Sequence, residues 1–376
     1  MKKMVVIVRN AAPDDFGGAE RFTVFLANEL NDLGYQTIVL SRSQKLLHFA
    51  ERQRCRTFKS WWWRQQSWHG SRIIALPAYL LWQLLLVAYY SYIFRQFNAD
   101  IVHLNSRDDF IAGSIAGKLQ GCRVIWTDHA DLKHIFRNVK TNFKNPVGKL
   151  VLWASRYTDA ITLVSHSERH LVNQQLPLKH AIRDKFTIVH NGAFDRLAQY
   201  PHEQQTHFTF VYVGRLVIDK GIRELIDAFN KLVATHPDCR LLIVGDGPDR
   251  MDFEKKAAPQ PAIHFIGHSD EPLTYLARAD VFVYPTYHEG FSLSLVEAAM
   301  MSLPIITTRV GGNPEIIIDG DNGLLIPPRD SKSLQETLQT LIDDPSKCLR
   351  LGSRARKKFL TSFRFRDIAR QISSLY

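Results

Sequence analysis

Two glutamates, Glu289 and Glu297, stand with seven residues between them in the stretch Pro285-Thr286-Tyr287-His288-Glu289-Gly290-Phe291-Ser292-Leu293-Ser294-Leu295-Val296-Glu297-Ala298-Ala299. A carboxylate accepts paired hydrogen bonds from neighbouring hydroxyls, so such a pair suits a ribose and a hexose. Glu289 falls in the loop after a predicted strand, and Glu297 about two turns into the helix that follows. Spacing alone fits two exposed helix charges equally well. Upstream, Val213-Gly214-Arg215-Leu216-Val217-Ile218-Asp219-Lys220-Gly221 also lies between a strand and a helix, with two cations five residues apart. A diphosphate needs fixed positive charge, and Arg215 offers a planar fork while Lys220 supplies a compact ammonium. The plain alternative is a solvated turn with surface charges. Gly17-Gly18-Ala19-Glu20-Arg21-Phe22 leads into a helix with an apolar face at Phe22, Phe25, Leu26 and Leu30. Glycines at a helix N-terminus let backbone amides approach an anion, although a simple strand-to-helix turn uses them as readily. The chain contains neither G-x-G-x-x-G at this place nor a G-x-x-x-x-G-K-[ST] loop anywhere.

The elements that must carry these residues read as α/β throughout. Short β-branched runs alternate with helical stretches at Val5–Val8, Thr37–Leu40, Ile101–Leu104, Arg123–Trp126 and Ala160–Val164. The pattern restarts at Phe208–Val213, Arg240–Val244, Ile263–Phe265, Val281–Tyr284, Pro304–Thr307 and Gly323–Ile326, which predicts two parallel sheets covered by helices. At 376 residues the chain exceeds the roughly 250–300 that one core usually reaches, in keeping with two domains. We place them at 1–195 and 196–362, joined near the polar stretch Phe194–Gln205, with a helix over 363–376 packing back on the first. Its apolar positions Phe365, Ile368, Ile372 and Leu375 have helical period.

Composition excludes disorder: 45% of residues are hydrophobic and 23% charged, with no low-complexity tract. The four cysteines, Cys55, Cys122, Cys239 and Cys348, are far apart, which fits a reducing compartment. Met1–Arg9 is too short an apolar run for a signal peptide and reads as a first strand. Residues 1–195 hold 26 Lys+Arg against 15 Asp+Glu, whereas 196–376 hold 22 of each, so the whole +11 net charge lies in the first half. That asymmetry points to an anionic partner there.

Taken together, the motifs resemble the retaining family 4 glycosyltransferases of GT-B fold, whose two Rossmann-like domains face each other across a cleft. The resemblance rests on Gly214–Gly221 (G-R-L-x-x-x-K-G), Val244–Pro248 (V-G-D-G-P), Phe265–Gly267, Glu289–Glu297 and Gly311–Ile317, in the family's order. Gly17-Gly18-Ala19-Glu20, Thr127-Asp128-His129 and Val189-His190-Asn191-Gly192 extend it over nearly the whole chain. It implies that Glu297 binds the donor ribose, and that Glu289 with Gly290 and Phe291 holds the transferred sugar. Arg215 and Lys220, with Gly214 and Gly245 beside them, would stabilise the diphosphate leaving group, and Gly17 and Gly18 would close over it. His129 would lie beside the sugar, and the Ile266-Gly267-His268 backbone would contact the base. The family's mechanism needs no protein nucleophile, and fixed cations take the place of a metal. No cofactor is therefore expected beyond the nucleotide sugar itself, with UDP as the carrier. Asp319-Gly320-Asp321 has the D-x-D form of a metal site, but it sits in Asp319-Gly320-Asp321-Asn322-Gly323, a composition that turns favour. The chain departs from the family at Ser302-Leu303-Pro304, where a glycine usually precedes the proline.

Between Arg42 and Arg72 lie eight cations, a single acid (Glu51) and the tryptophans Trp61, Trp62, Trp63 and Trp68. Cations and indoles together suit an anionic membrane surface. The apolar run Ile73–Phe94 has the length of a span, but Pro77, its tyrosines and its place before a sheet strand favour a buried or surface-lying helix. The acceptor is accordingly expected to be a lipid-linked or membrane-anchored glycan, met at the cytoplasmic face of the cell membrane. No nucleic-acid module is recognised. The alternatives are a soluble transferase acting on a small molecule or glucan, and a non-catalytic sugar-nucleotide- or membrane-binding scaffold.

Overall fold

The computed structural model describes residues 2–10, 17–60, 76–127, 146–175, 180–203 and 205–376. The chain forms two compact units, the first Met1–His190 with Arg366–Tyr376, the second Asn191–Phe365.

In unit 1, β1 (Met4–Val8), α1 (Gly18–Asp32), β2 (Gln36–Ser41), α2 (Gln44–Arg52), β3 (Thr57–Lys59), α3 (Leu76–Gln96), β4 (Ile101–Leu104) and α4 (Phe110–Leu119) come first. They are followed by β5 (Arg123–Thr127), β6 (Ala160–Leu163) and β7 (Phe186–Ile188). The sheet order is β3-β2-β1-β4-β5-β6-β7, and each neighbouring pair is parallel. Central strands of such a sheet are covered on both faces and so are apolar at every position rather than at alternate ones. Val5, Val6, Ile7 and Val8 are all fully buried. The short outer strands β3 and β7 were not foreseen from the sequence, whereas β4 begins and ends where its pattern does.

Unit 2 contains β8 (Phe208–Val213), β9 (Cys239–Val244), β10 (Ile263–Gly267), β11 (Val281–Tyr284), β12 (Ile305–Thr308) and β13 (Leu324–Ile326). Their order, β10-β9-β8-β11-β12-β13, is all parallel and doubly wound, the pattern of a Rossmann sheet. In both sheets the direction of winding reverses beside the first strand, β1 in one and β8 in the other. A crevice at the carboxyl ends of the strands opens at such a point.

A helix over Phe365–Ser373 buries Phe365, Ile368 and Ile372, the spacing its apolar period required. Just past it, the Tyr376 ring meets Tyr35 edge-on at 5.6 Å, and its hydroxyl lies 2.6 Å from His103 Nδ1. His103, inside β4, also bonds Thr127 Oγ1 at 2.7 Å, and Thr127 bonds Thr162 Oγ1 at 2.6 Å. Burial pushes the His103 pKa down to about 3, so the ring is neutral. A second buried polar group ties the segments just after β1 and just before α4 to α3: Asp109 Oδ1 accepts from Tyr90 Oη at 2.5 Å and from Asn10 Nδ2 at 2.9 Å. Burial raises the Asp109 carboxyl to about 6. The four cysteines are free and buried.

Candidate active site

The crevice of unit 2 is built largely from backbone. After β8, Gly214 donates its amide to Val244 O at 3.0 Å, and Gly245 donates its own to Gly267 O at 2.8 Å. These bonds bring Gly214, Gly245 and Gly267 side by side at the carboxyl ends of three adjacent strands. Leu216 is fully buried and anchors the next stretch, bonding Asp246 O at 2.9 Å. Gly221 then turns the chain into the helix Ile222–Val233 at φ +69°, and a Cβ there would lie 2.0 Å from Pro285 O. Only glycine allows that approach. Asp219 O accepts from Tyr287 N at 2.8 Å and Thr286 Oγ1 at 3.2 Å, fixing the Lys220 turn against the loop after β11.

That registration delivers Lys220 to Glu289. The Lys220 ammonium donates to Glu289 Oε2 at 2.7 Å, and Tyr284 donates its hydroxyl to the same oxygen at 3.0 Å. The ammonium also stands 5.3 Å from the centre of the Tyr284 ring. Burial first, and the neighbouring Glu289 charge second, raise the Tyr284 pKa well above the ordinary phenol value, so it remains a proton donor. Glu289 Oε1 receives no hydrogen bond among the described residues. The Glu289 backbone is held as firmly as its side chain: Gly312 N donates to its carbonyl at 3.3 Å, and Gly311, at φ +51°, would place a Cβ 1.7 Å from that oxygen. Arg215, in contrast, is exposed and forms no ion pair among the described residues. One cation is therefore held in place by a carboxylate, and the other carries no countercharge among the described residues.

Gly290 and Phe291 follow directly, Phe291 buried edge-on against Phe363 at 5.6 Å while its carbonyl accepts from Asn191 Nδ2 at 3.4 Å. Ser292 caps the helix Leu293–Met300, accepting from Leu295 N at 3.3 Å, and Glu297 lies partly exposed in that helix's second turn. Ile266 and His268 flank Gly267 at the end of β10, both exposed. Gly17 and Gly18 are exposed at the start of α1 in unit 1. Behind them Glu20 is buried, accepting from Gly17 N at 2.9 Å and paired with Arg9 at 2.7 Å. His129 lies outside the described residues, as do Asp128 and the tryptophans Trp61–Trp63 and Trp68. Both carboxylates of the D-x-D turn are engaged by arginines, Asp319 by Arg309 at 2.7 Å and Asp321 by Arg354.

Sequence reasoning overlooked Tyr284 and Tyr212. Tyr212 stacks on Tyr284 at 5.6 Å between ring centroids and donates to Arg215 O at 3.1 Å. The arginine's backbone and the Glu289 carboxylate thus rest on one buried aromatic pair. The only available signal was a tyrosine near the end of a strand that leads into each of the two motifs.

Two family models cover the chain almost end to end: "Glycosyltransferase Family 4" matches residues 16–193 and "Glycosyl transferases group 1" residues 195–358. The chain belongs to the family 4 glycosyltransferases. Among curated relatives of this glycosyltransferase, a glycogen synthase of Mycobacterium tuberculosis is 32% identical over 201 residues, which cover 51% of this chain and 48% of the relative. The capsular polysaccharide biosynthesis glycosyltransferase CapM of Staphylococcus aureus is 31% identical over 197 residues, 51% of each chain. The glycosyltransferase thus spans about half the length of these curated relatives in the match. Among solved structures, Anabaena HepE in complex with UDP-glucose superposes with a TM-score of 0.77 at 18% identity, covering 99% of this chain and 98% of that one. At that identity the likeness speaks for the GT-B fold.

Proposed function

We propose that this glycosyltransferase moves a hexose or N-acetylhexosamine from a UDP-sugar to a lipid-linked glycan at the cytoplasmic face of a membrane, with retention at the anomeric carbon and without a metal. The observation that carries the donor half is the Lys220–Glu289–Tyr284 cluster beside an uncommitted Arg215. A diphosphate entering the crevice meets the Arg215 guanidinium and the Lys220 ammonium. A sugar hydroxyl can donate to Glu289 Oε1, and Glu297 accepts from the ribose. As the bond from the anomeric carbon to the diphosphate oxygen breaks, charge grows on that oxygen and the two preorganised cations stabilise it. The acceptor oxygen bonds the same face of the sugar, and its proton passes to the departing phosphate. The membrane half is supported by the charge asymmetry and by the cations of the Arg42–Arg72 stretch.

The test is thermal stabilisation of the purified chain by a panel of nucleotide sugars, followed by transfer assays with and without EDTA. A ligand at 100 times its Kd stabilises by about 2.7 kcal/mol. We expect one UDP-sugar to shift the transition, chelation to leave transfer intact, and the product anomer to match the donor's. No shift with any nucleotide sugar refutes the donor assignment, and loss of transfer on chelation with recovery on adding magnesium refutes the metal-free mechanism.

A further inference from the structure

We infer that α3 docks the glycosyltransferase on an anionic lipid surface by lying in the plane of the interface with its leucine face inserted. The inference rests on the membrane reading above and gives it a surface. One face of α3, Tyr79, Gln83, Leu86, Tyr90, Ile93 and Phe94, is buried within unit 1, where the helix packs along α4. The other face carries Leu80, Leu81, Leu84 and Leu85, exposed at 42, 61, 67 and 56%. Four leucines at positions i, i+1, i+4 and i+5 form one contiguous apolar strip over two turns. A strip of that kind on a soluble surface marks an interaction site.

Charge selects its occupant. From Arg52 to Ala99 the chain holds seven cations and no acid. Arg52, Arg54, Arg56 and Lys59 are exposed along the end of α2 and the edge strand β3. That strand lies directly against the end of α3: the Arg56 guanidinium sits 5.6 Å over the Phe97 ring, and Phe58 meets the same ring at 5.3 Å. Leucines on a helix whose neighbouring strand and helix end carry four exposed cations against one acid, Glu51, which accepts from Thr57 Oγ1 at 3.0 Å, match acyl chains under anionic headgroups. A second copy of the chain fits less well, because a two-fold interface would oppose the same predominantly cationic border to itself. A transmembrane span is incompatible with the buried face, since Tyr90 on α3 is hydrogen-bonded to Asp109 of the soluble core.

The experiment compares the full chain with a Leu81→Gln, Leu84→Gln, Leu85→Gln variant for co-sedimentation with vesicles of phosphatidylcholine containing phosphatidylglycerol, and with phosphatidylcholine alone. We expect the parent to bind the anionic vesicles, the variant's partition coefficient to fall at least tenfold, and omission of phosphatidylglycerol to weaken the parent similarly. Nucleotide-sugar stabilisation of the variant should match the parent's, which shows that it is folded. A folded variant that sediments like the parent, or a parent that remains in the supernatant, overturns the inference. A parent dimer that becomes monomeric in the variant overturns it in favour of a copy interface. The acceptor reading fails separately: vesicle docking with no transfer to any lipid-linked glycan refutes that acceptor alone, and transfer in detergent by a chain that ignores vesicles refutes the docking alone.

Discussion

Replacing His103 with glutamine should change how the stability of unit 1 depends on pH more than how stable it is at neutrality. The imidazole is fully buried between Tyr376 Oη and Thr127 Oγ1, and burial lowers its pKa from 6.5 to about 3. Between those values the unfolded chain binds a proton that the folded chain refuses. Stability from this group is therefore complete above pH 6.5 and is lost on acidification at about 1.36 kcal/mol per unit of pH, or about 2 kcal/mol by pH 5. Asp109 has the opposite sign. Its carboxyl is raised from 3.8 to about 6, so the folded chain holds a proton that the unfolded chain releases, and its contribution falls as pH rises through that window. In the parent the two slopes oppose each other between pH 4 and 6, and His103→Gln unmasks the second. The assay is urea unfolding followed by tryptophan fluorescence, since all seven tryptophans lie between Trp61 and Trp153 and report on unit 1. We expect the stability difference between parent and variant to shrink by about 2 kcal/mol from pH 6.5 to 5. A difference that stays constant with pH would refute a buried neutral imidazole.

Arg215→Ala should leave stability within about 0.5 kcal/mol of the parent, because the side chain is exposed, while slowing turnover on the order of a hundredfold; paired urea titrations and kcat measurements check both. Lys220→Met should do both kinds of damage, costing about 1–3 kcal/mol because Glu289, whose side chain is only 17% exposed, would lose its countercharge. Tyr284→Phe removes one of two donors to Glu289 Oε2, and kcat/KM should fall by up to about tenfold with the thermal transition little changed. Gly311→Ala should abolish nucleotide-sugar stabilisation, since its Cβ would meet Glu289 O at 1.7 Å; Gly121→Ala, also at positive φ but with nothing within 4 Å, should cost only about 1–2 kcal/mol and retain ligand binding.

What the sequence disclosed followed from burial. Strands β4, β8 and β11 announce themselves because a covered parallel strand must be apolar along its length. Thr57–Lys59 and Phe186–Ile188 lie at the two ends of the first sheet, are three residues long, and mix polar with apolar positions, so no period stands out. Around the site, glycines and charges in the turns were legible because their chemistry is local. Tyr212 and Tyr284 were not, because a tyrosine in a buried strand has the hydropathy of core, and its hydroxyl becomes significant only when a turn brings Arg215 O or Glu289 over it. His103 was concealed by distance, since its partner Tyr376 comes 273 residues later. For α3, hydropathy gave the helix but could not divide its leucines between the side packed on α4 and the side facing outward.

Unit 1 is made of two pieces of chain with all of unit 2 lying between them in sequence, since its last segment is Arg366–Tyr376. On the ribosome, at about 5–20 residues per second, the first piece must wait on the order of ten to thirty seconds while unit 2 is synthesised. During that wait His103 has no Tyr376 hydroxyl, and the surface that receives Ile368 and Ile372 stays bare. The nascent first unit is thus a candidate client for chaperones, whereas unit 2 can close its sheet as soon as β13 has emerged. A message truncated shortly before residue 366 would yield an intact unit 2 attached to a first unit that still lacks its last segment.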